Sequence, residues 1–197
     1  MTETRWRSGR DVAVMALMLA VLHTAQAALP LHMPDSSGAL VAYNVAFGPL
    51  VLLLTTVVYA RLWWLIRIDG GPAVLVAWAL AAALFDVAYS SAWPLFIFNS
   101  GVAPVLDLVA FGVRVVGLLL LATGLMLWTR LPRWVGAAFA TYAALLLLRF
   151  AAERVGLGVS LQLQLIFWIA ALIALAVGLL MTRPEPREVS PRSSTPD

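Results

Sequence analysis

Six runs of mostly apolar residues, each about as long as a bilayer crossing requires, dominate this 197-residue chain and leave little else to build with. A transmembrane helix needs about 20 such residues, and the runs fall at roughly 12–29, 39–60, 72–98, 104–129, 134–152 and 160–182. The fold class expected is all-α, a polytopic membrane helix bundle of six transmembrane helices forming one domain over 1–182. The proline- and serine-rich end, 183–197, reads as a disordered cytoplasmic tail. Composition excludes the soluble alternative: 62% of residues are hydrophobic and only 12% charged, with mean hydropathy +0.93, whereas soluble domains carry about 25% charged residues.

Arginine placement predicts direction. Arg5, Arg7 and Arg10 precede the first run, Arg61 and Arg67 close the second, Arg130 and Arg133 separate the fourth from the fifth, and Arg183, Arg187 and Arg192 follow the sixth. Ten of the thirteen arginines thus fall on one side of a six-span arrangement, and the opposite loops near Asp35 and Asn99 have none. Both termini are therefore expected in the cytoplasm, with the protein in the inner (cytoplasmic) membrane. Trp6, Trp63, Trp64, Trp128 and Trp134 gather at the same predicted interface, where an aromatic belt belongs. The segment from Trp128 to Trp134 marks an inner turn. A competing reading takes Arg5 to Ala27 as a cleaved signal peptide with a small-residue site at Ala25-Gln26-Ala27, but the apolar run continues through Leu29 and is long enough to span.

Absent residue types exclude several chemistries. Without cysteine there are no disulfides, thiolate metal sites or thiol relays. Every basic residue is arginine, so a Schiff-base mechanism through a lysine amine is excluded. With two histidines, His23 and His32, and only the first within an apolar run, the chain cannot supply two axial haem ligands in the membrane. No metal or cofactor is expected. The pI near 10 reflects arginines at the ends of apolar runs rather than a basic stripe interleaved with aromatics, so nucleic acid is not an expected partner.

The few polar residues inside the runs are the informative ones. At 1.5 Å per residue, His23, Asp86 and Arg149 lie about 17–23 Å from the cytoplasmic ends of their spans. Asn44, Asp107, Gln162 and Gln164 lie within two turns of the outer ends, with Arg114 near the midplane. The outer half of the bundle therefore holds the polar groups. Charged side chains in hydrocarbon must face protein, water or each other, and an Asp86–Arg114 salt bridge is the sharpest pairing expected. Asp107 and Arg114, seven apart, share a helical face; Arg149 and Glu153, at i and i+4, can pair directly. Tyr89 flanks Asp86. Small residues recur at four-residue spacing in Ala73/Ala77/Ala81, Gly136/Ala140/Ala144 and Ala170/Ala174/Gly178, which would let helices approach closely. Pro94 is expected to kink or end the third helix near the outer surface. The two halves show no convincing internal repeat.

Three functions fit these features. An accessory, assembly or sensor-like membrane subunit would use the polar network to fix packing and partner contacts. A transporter or binding component for a small anionic or amphiphilic molecule would use Asp86, Arg114, Arg149, Asp107, Asn44, Tyr89 and Gln164 as a ligand-binding polar core, with arginine suited to a carboxylate or phosphate. An intramembrane enzyme on a lipid or isoprenoid-like substrate would draw on Asp86, Glu153 or His23 as acid/base candidates. The expected partners are the lipid bilayer together with a protein subunit or an amphiphilic ligand. No spacing of a recognised catalytic motif is present, and the accessory, assembly or sensor-like subunit is the first reading, with the transporter or binding component as its alternative and the enzyme as the second alternative.

Overall fold

A computed structural model describes residues 2–32, 37–96, 103–157 and 161–182; within these, the side chains of 2–8, 26–27, 29–32, 37–47, 87, 90–96, 103–104 and 161 are outside the description. Six α-helices follow one another: α1 (Thr2–His32), α2 (Ser37–Ile68), α3 (Ala73–Phe96), α4 (Ala103–Leu127), α5 (Arg133–Arg154) and α6 (Leu161–Met181). Helix is the form that satisfies every backbone N–H and C=O within one apolar segment, which a bilayer demands. Among the described residues, four segments are long and apolar enough to cross a membrane: Gly48–Ile68, Val105–Leu127, Arg133–Arg154 and Gln162–Met181. α3 adds a shorter apolar stretch, Ala73–Asp86. The helices suggest a membrane protein.

Short connections make successive helices antiparallel, and the packing order closes on itself. Each helix packs against its neighbours in sequence, and α1 packs against α6. The result is a six-membered ring in which α3 stands opposite α6, α4 opposite α1, and α2 opposite α5. α1 is thus a closing member of the bundle. α3 runs two residues past Pro94 before it ends at Phe96. The tail after Arg183 and the side chains of Gln26 and Asn44 lie outside the described residues.

Local chemistry sets the turns. α2 and α5 stop in the same way: Gly70 (φ 70°) and Gly156 (φ 76°) take the left-handed conformation that glycine adopts without steric cost. The next residue's N–H then reaches back to the last turn, Gly71 to Ile66 O at 2.9 Å and Leu157 to Ala152 O at 2.9 Å. Pro72 and Pro132 sit immediately before α3 and α5, where a missing N–H costs nothing. The turns α2–α3 and α4–α5 lie at one end of the ring, the basic end. They are locked together there: Asp69, whose side chain is only 5% exposed, accepts from Trp128 Nε1 (3.2 Å) and pairs with Arg130 Nε (3.1 Å).

The interior divides into two levels. Toward the basic end, Leu19, Leu62, Ile66, Leu121, Leu125, Phe139, Leu172 and Leu175 are fully buried and fill the ring. Among the described residues, tyrosine and tryptophan aside, no polar or charged residue is buried as a whole. The outward faces are apolar as well: Val21, Val74, Trp78, Val105, Leu148 and Met181 are all more than 60% exposed. A surface like this fits lipid as solvent.

Glycines, more than the alanine stripes, set the closest approaches. A Cβ on Gly117 would lie 2.5 Å from Ala82 Cβ, and one on Gly124 2.9 Å from Val76 Cγ2, so two glycines seven apart on α4 seat α3. Gly136 meets Ala122 and Met126 of α4, and Gly178 meets Val135 of α5. The expected stripes contribute at one end each. Ala81, Ala144 and Ala170 are exposed.

Candidate binding cavity

On the other side of the packed level, in the half of the ring away from the basic end, the bundle opens into a cavity of about 250 Å³ lined by side chains from all six helices. Its geometry follows from the charges that the helices carry into apolar surroundings. Asp86 on α3 and Arg114 on α4 meet in a bidentate pair, Nη2–Oδ1 2.5 Å and Nε–Oδ2 3.1 Å. Two parallel bonds between a planar guanidinium and a carboxylate are the strongest such pairing and fix both side chains in orientation. Removing either charge from its partner at this depth would leave an ion in a poor solvent, which explains why the two appear together.

About one turn farther along α3, the Tyr89 hydroxyl donates a short hydrogen bond to Asp107 Oδ1 on α4. Asp107 does share the helix face of Arg114, but its partner is the tyrosine. The α3–α4 contact therefore holds two polar rungs, one lining the cavity and one beyond it.

A third cluster joins α5 to α6. Arg149 Nε donates to Glu153 Oε1 at 2.7 Å and its Nη1 donates to Gln164 Oε1. Gln164 in turn directs Nε2 at the Tyr142 hydroxyl, 3.4 Å away. Tyr142 and Gln164 line the cavity, whereas Arg149 and Glu153 are not among its lining residues. Arg149 thus acts on the cavity through Gln164, by fixing which end of the amide faces inward.

Aromatic rings form the wall that sequence alone did not reveal. Trp168 on α6 is 8% exposed and held from three sides: the Tyr142 ring at 5.0 Å, the Phe139 edge at 5.8 Å and the His23 edge at 6.1 Å between centroids. Tyr59 on α2, 6% exposed, is a further lining residue. Across the ring, α3 and α4 present Ala79, Ala82, Ala83 and Gly117. The α5–α6 side of the cavity is aromatic, and the α3–α4 side combines small residues with the Asp86–Arg114 pair and Leu118. Such rings are invisible as a site in the sequence, because Tyr and Trp in a span read equally well as core or interfacial residues.

Of the acid/base candidates, Asp86 and His23 line the cavity and Glu153 does not. Both oxygens of Asp86 are engaged by Arg114. Among the described residues no cluster of three His, Asp or Glu side chains is placed to hold a metal. Of the expected tryptophan belt, Trp64 and Trp134 are exposed, but Trp128 is 4% exposed and serves the turn lock through Asp69. No family model matches the chain, and neither a curated protein nor a solved structure does.

Proposed function

We propose that this chain is a multi-pass protein of the inner (cytoplasmic) membrane, with all six helices spanning and both termini cytoplasmic, that binds a small molecule in its outward-lying cavity. The observation that carries the reading is a cavity to which all six helices contribute, with a polar pair on one side and a fixed indole on the other. A purely structural ion pair needs no such space beside it, and ligand sites characteristically combine apolar walls with a few placed polar groups. The arginine distribution supports the orientation, with the basic end cytoplasmic and the cavity in the outer half. Binding of this kind suits a transport or capture component acting on molecules that enter from the outer side.

The experiment is purification in native lipid nanodiscs followed by mass spectrometry of the small molecules retained. A stoichiometric ligand is expected with the unmodified chain and its loss with Ala83→Leu, which fills the cavity from α3. Recovery of a stoichiometric protein partner, with no small molecule and no effect of Ala83→Leu, would replace this reading with that of an accessory subunit.

A further inference from the structure

The cavity's chemistry narrows its ligand, on the premise that the cavity is a binding site. Among the described lining residues two carry a formal charge, Asp86 and Arg114, and they neutralise each other through two hydrogen bonds. An anion would have to draw Arg114 from Asp86 while facing the carboxylate, and a cation would meet the reverse conflict. Either would leave one member of the pair uncompensated in a poorly solvated site. The field of the lining therefore favours an uncharged guest.

Shape adds a second constraint. The ring order sets α6, which carries Trp168, opposite α3, which lines the cavity with Ala79, Ala82 and Ala83 beside Asp86. Trp168 cannot readily turn aside, because Phe139, Tyr142 and His23 pack around it. A cavity with an aromatic wall on one side and several small residues on the other leaves room for a planar ring, which gains most from stacking on an aromatic side chain. For scale, an apolar cavity of about 150 Å³ accepts benzene. A cavity of about 250 Å³ then suits a fused two-ring compound.

A third observation supplies the polar handle. Tyr59 is 94% buried by area and lines the cavity, and its hydroxyl has no hydrogen-bond partner among the described residues. Among the described residues no fully buried side-chain nitrogen or oxygen is left without a partner, so this hydroxyl keeps some accessible surface, on a residue that lines the cavity. It offers a donor to whatever occupies the space.

We infer that the cavity binds an uncharged, planar, fused-ring compound bearing a hydrogen-bond acceptor, stacked on Trp168 and accepting from the Tyr59 hydroxyl. Lipid-soluble carbonyl compounds of that shape are the ligand class. The probe is 1,4-naphthoquinone, which has ring carbonyls and no charge, and which finds neither a cysteine nor a lysine side chain on this protein to alkylate. Three comparisons share its ring: 1-naphthoate, 1-naphthylmethylammonium and naphthalene. Binding is measured by calorimetry on the full chain in nanodiscs, with empty nanodiscs subtracted for partition into lipid.

Saturable binding of the quinone at least tenfold tighter than either ion is expected. Tyr59→Phe should weaken the quinone about three- to tenfold, the worth of one hydrogen bond, and leave naphthalene unchanged. Ala83→Leu should abolish both, with a thermal unfolding scan confirming that each variant is folded. Should an ion bind as tightly as the quinone, or Tyr59→Phe leave quinone affinity intact, the assigned ligand class is wrong while the cavity remains a binding site. Absence of saturable binding for all four probes, with no retained native ligand, would remove the binding reading itself.

Discussion

Asp86 and Arg114 bind each other through two nearly parallel hydrogen bonds, at 2.5 and 3.1 Å, across the contact between α3 and α4. Their side chains are 24% and 40% exposed, so part of each charge reaches the cavity. The pair must be read as a unit. Losing one member strands the other, whereas losing both removes the problem along with the interaction.

That asymmetry gives the first prediction. Asp86→Asn or Arg114→Gln alone should lower unfolding stability in nanodiscs by about 1–3 kcal/mol, the partial exposure keeping the cost below that of a fully buried pair. The double variant should recover at least half of the loss. Additive losses, with no recovery, would mean that the two charges are stabilised independently of one another.

The lock at the basic end is a separate structural device. Asp69 holds both the Trp128 indole N–H and the Arg130 guanidinium, and so ties the α2–α3 turn to the α4–α5 turn. Asp69→Ala should cost about 2–3 kcal/mol, since it leaves an indole N–H unmet where Trp128 is 4% exposed. Trp128→Phe keeps a six-membered aromatic ring but loses the pyrrole half with its bond to a charged group, so about 1.5 kcal/mol is expected if the hydrogen bond is the main contribution. Thermal unfolding would rank the two, and a larger effect of Trp128→Phe would show packing of the ring, not the hydrogen bond, to be the main contribution.

How far the site could be read in the sequence depended on how few options each residue had. An aspartate and an arginine inside apolar runs at similar depth can hardly avoid one another, which is why Asp86 and Arg114 pair as expected. Arg149 and Glu153 were legible through simple helical spacing. Asp107 was legible as to face but not partner, because Tyr89 could supply a hydroxyl from α3 and no rule of spacing within one helix reports that. Tyr59, Tyr142 and Trp168 stayed hidden, since an aromatic side chain is at home in core, interface or ligand wall alike. Trp128 had the sequence position of a belt residue, and only the fold of two turns against each other brings Asp69 to its N–H. The ring closure between α1 and α6 is likewise a tertiary fact that hydropathy cannot express.

Gly117 offers a test of how finely the α3–α4 contact is set. An added Cβ would lie 2.5 Å from Ala82 Cβ, closer than two methyl carbons can approach, and both atoms belong to helices with no flexible end to yield. Gly117→Ala should therefore push the helices apart, loosen the Asp86–Arg114 pair about one turn away, and cost about 1–3 kcal/mol. Gly112 lies on the same helix with nothing within 4 Å of its would-be Cβ. There the substitution to alanine should be neutral or stabilising by about 0.4–1 kcal/mol, through the helical preference of alanine. Equal effects at the two sites would contradict the close approach.

The absence of native cysteine makes orientation directly measurable. Thr129 lies exposed in the α4–α5 turn at the basic end, and Val155, 72% exposed, lies just past the end of α5 at the other. In a bundle whose basic end is cytoplasmic, a membrane-impermeant maleimide added to intact cells stripped of any outer barrier should label Val155→Cys at once. Thr129→Cys should react only after the membrane is permeabilised. Labelling of both sites from outside would mean that α5 does not span the membrane. The reverse pattern would invert the protein and put the cavity on the cytoplasmic side, because the depth of Asp86 and Arg114 is tied to the same ring that carries the arginines at its other end.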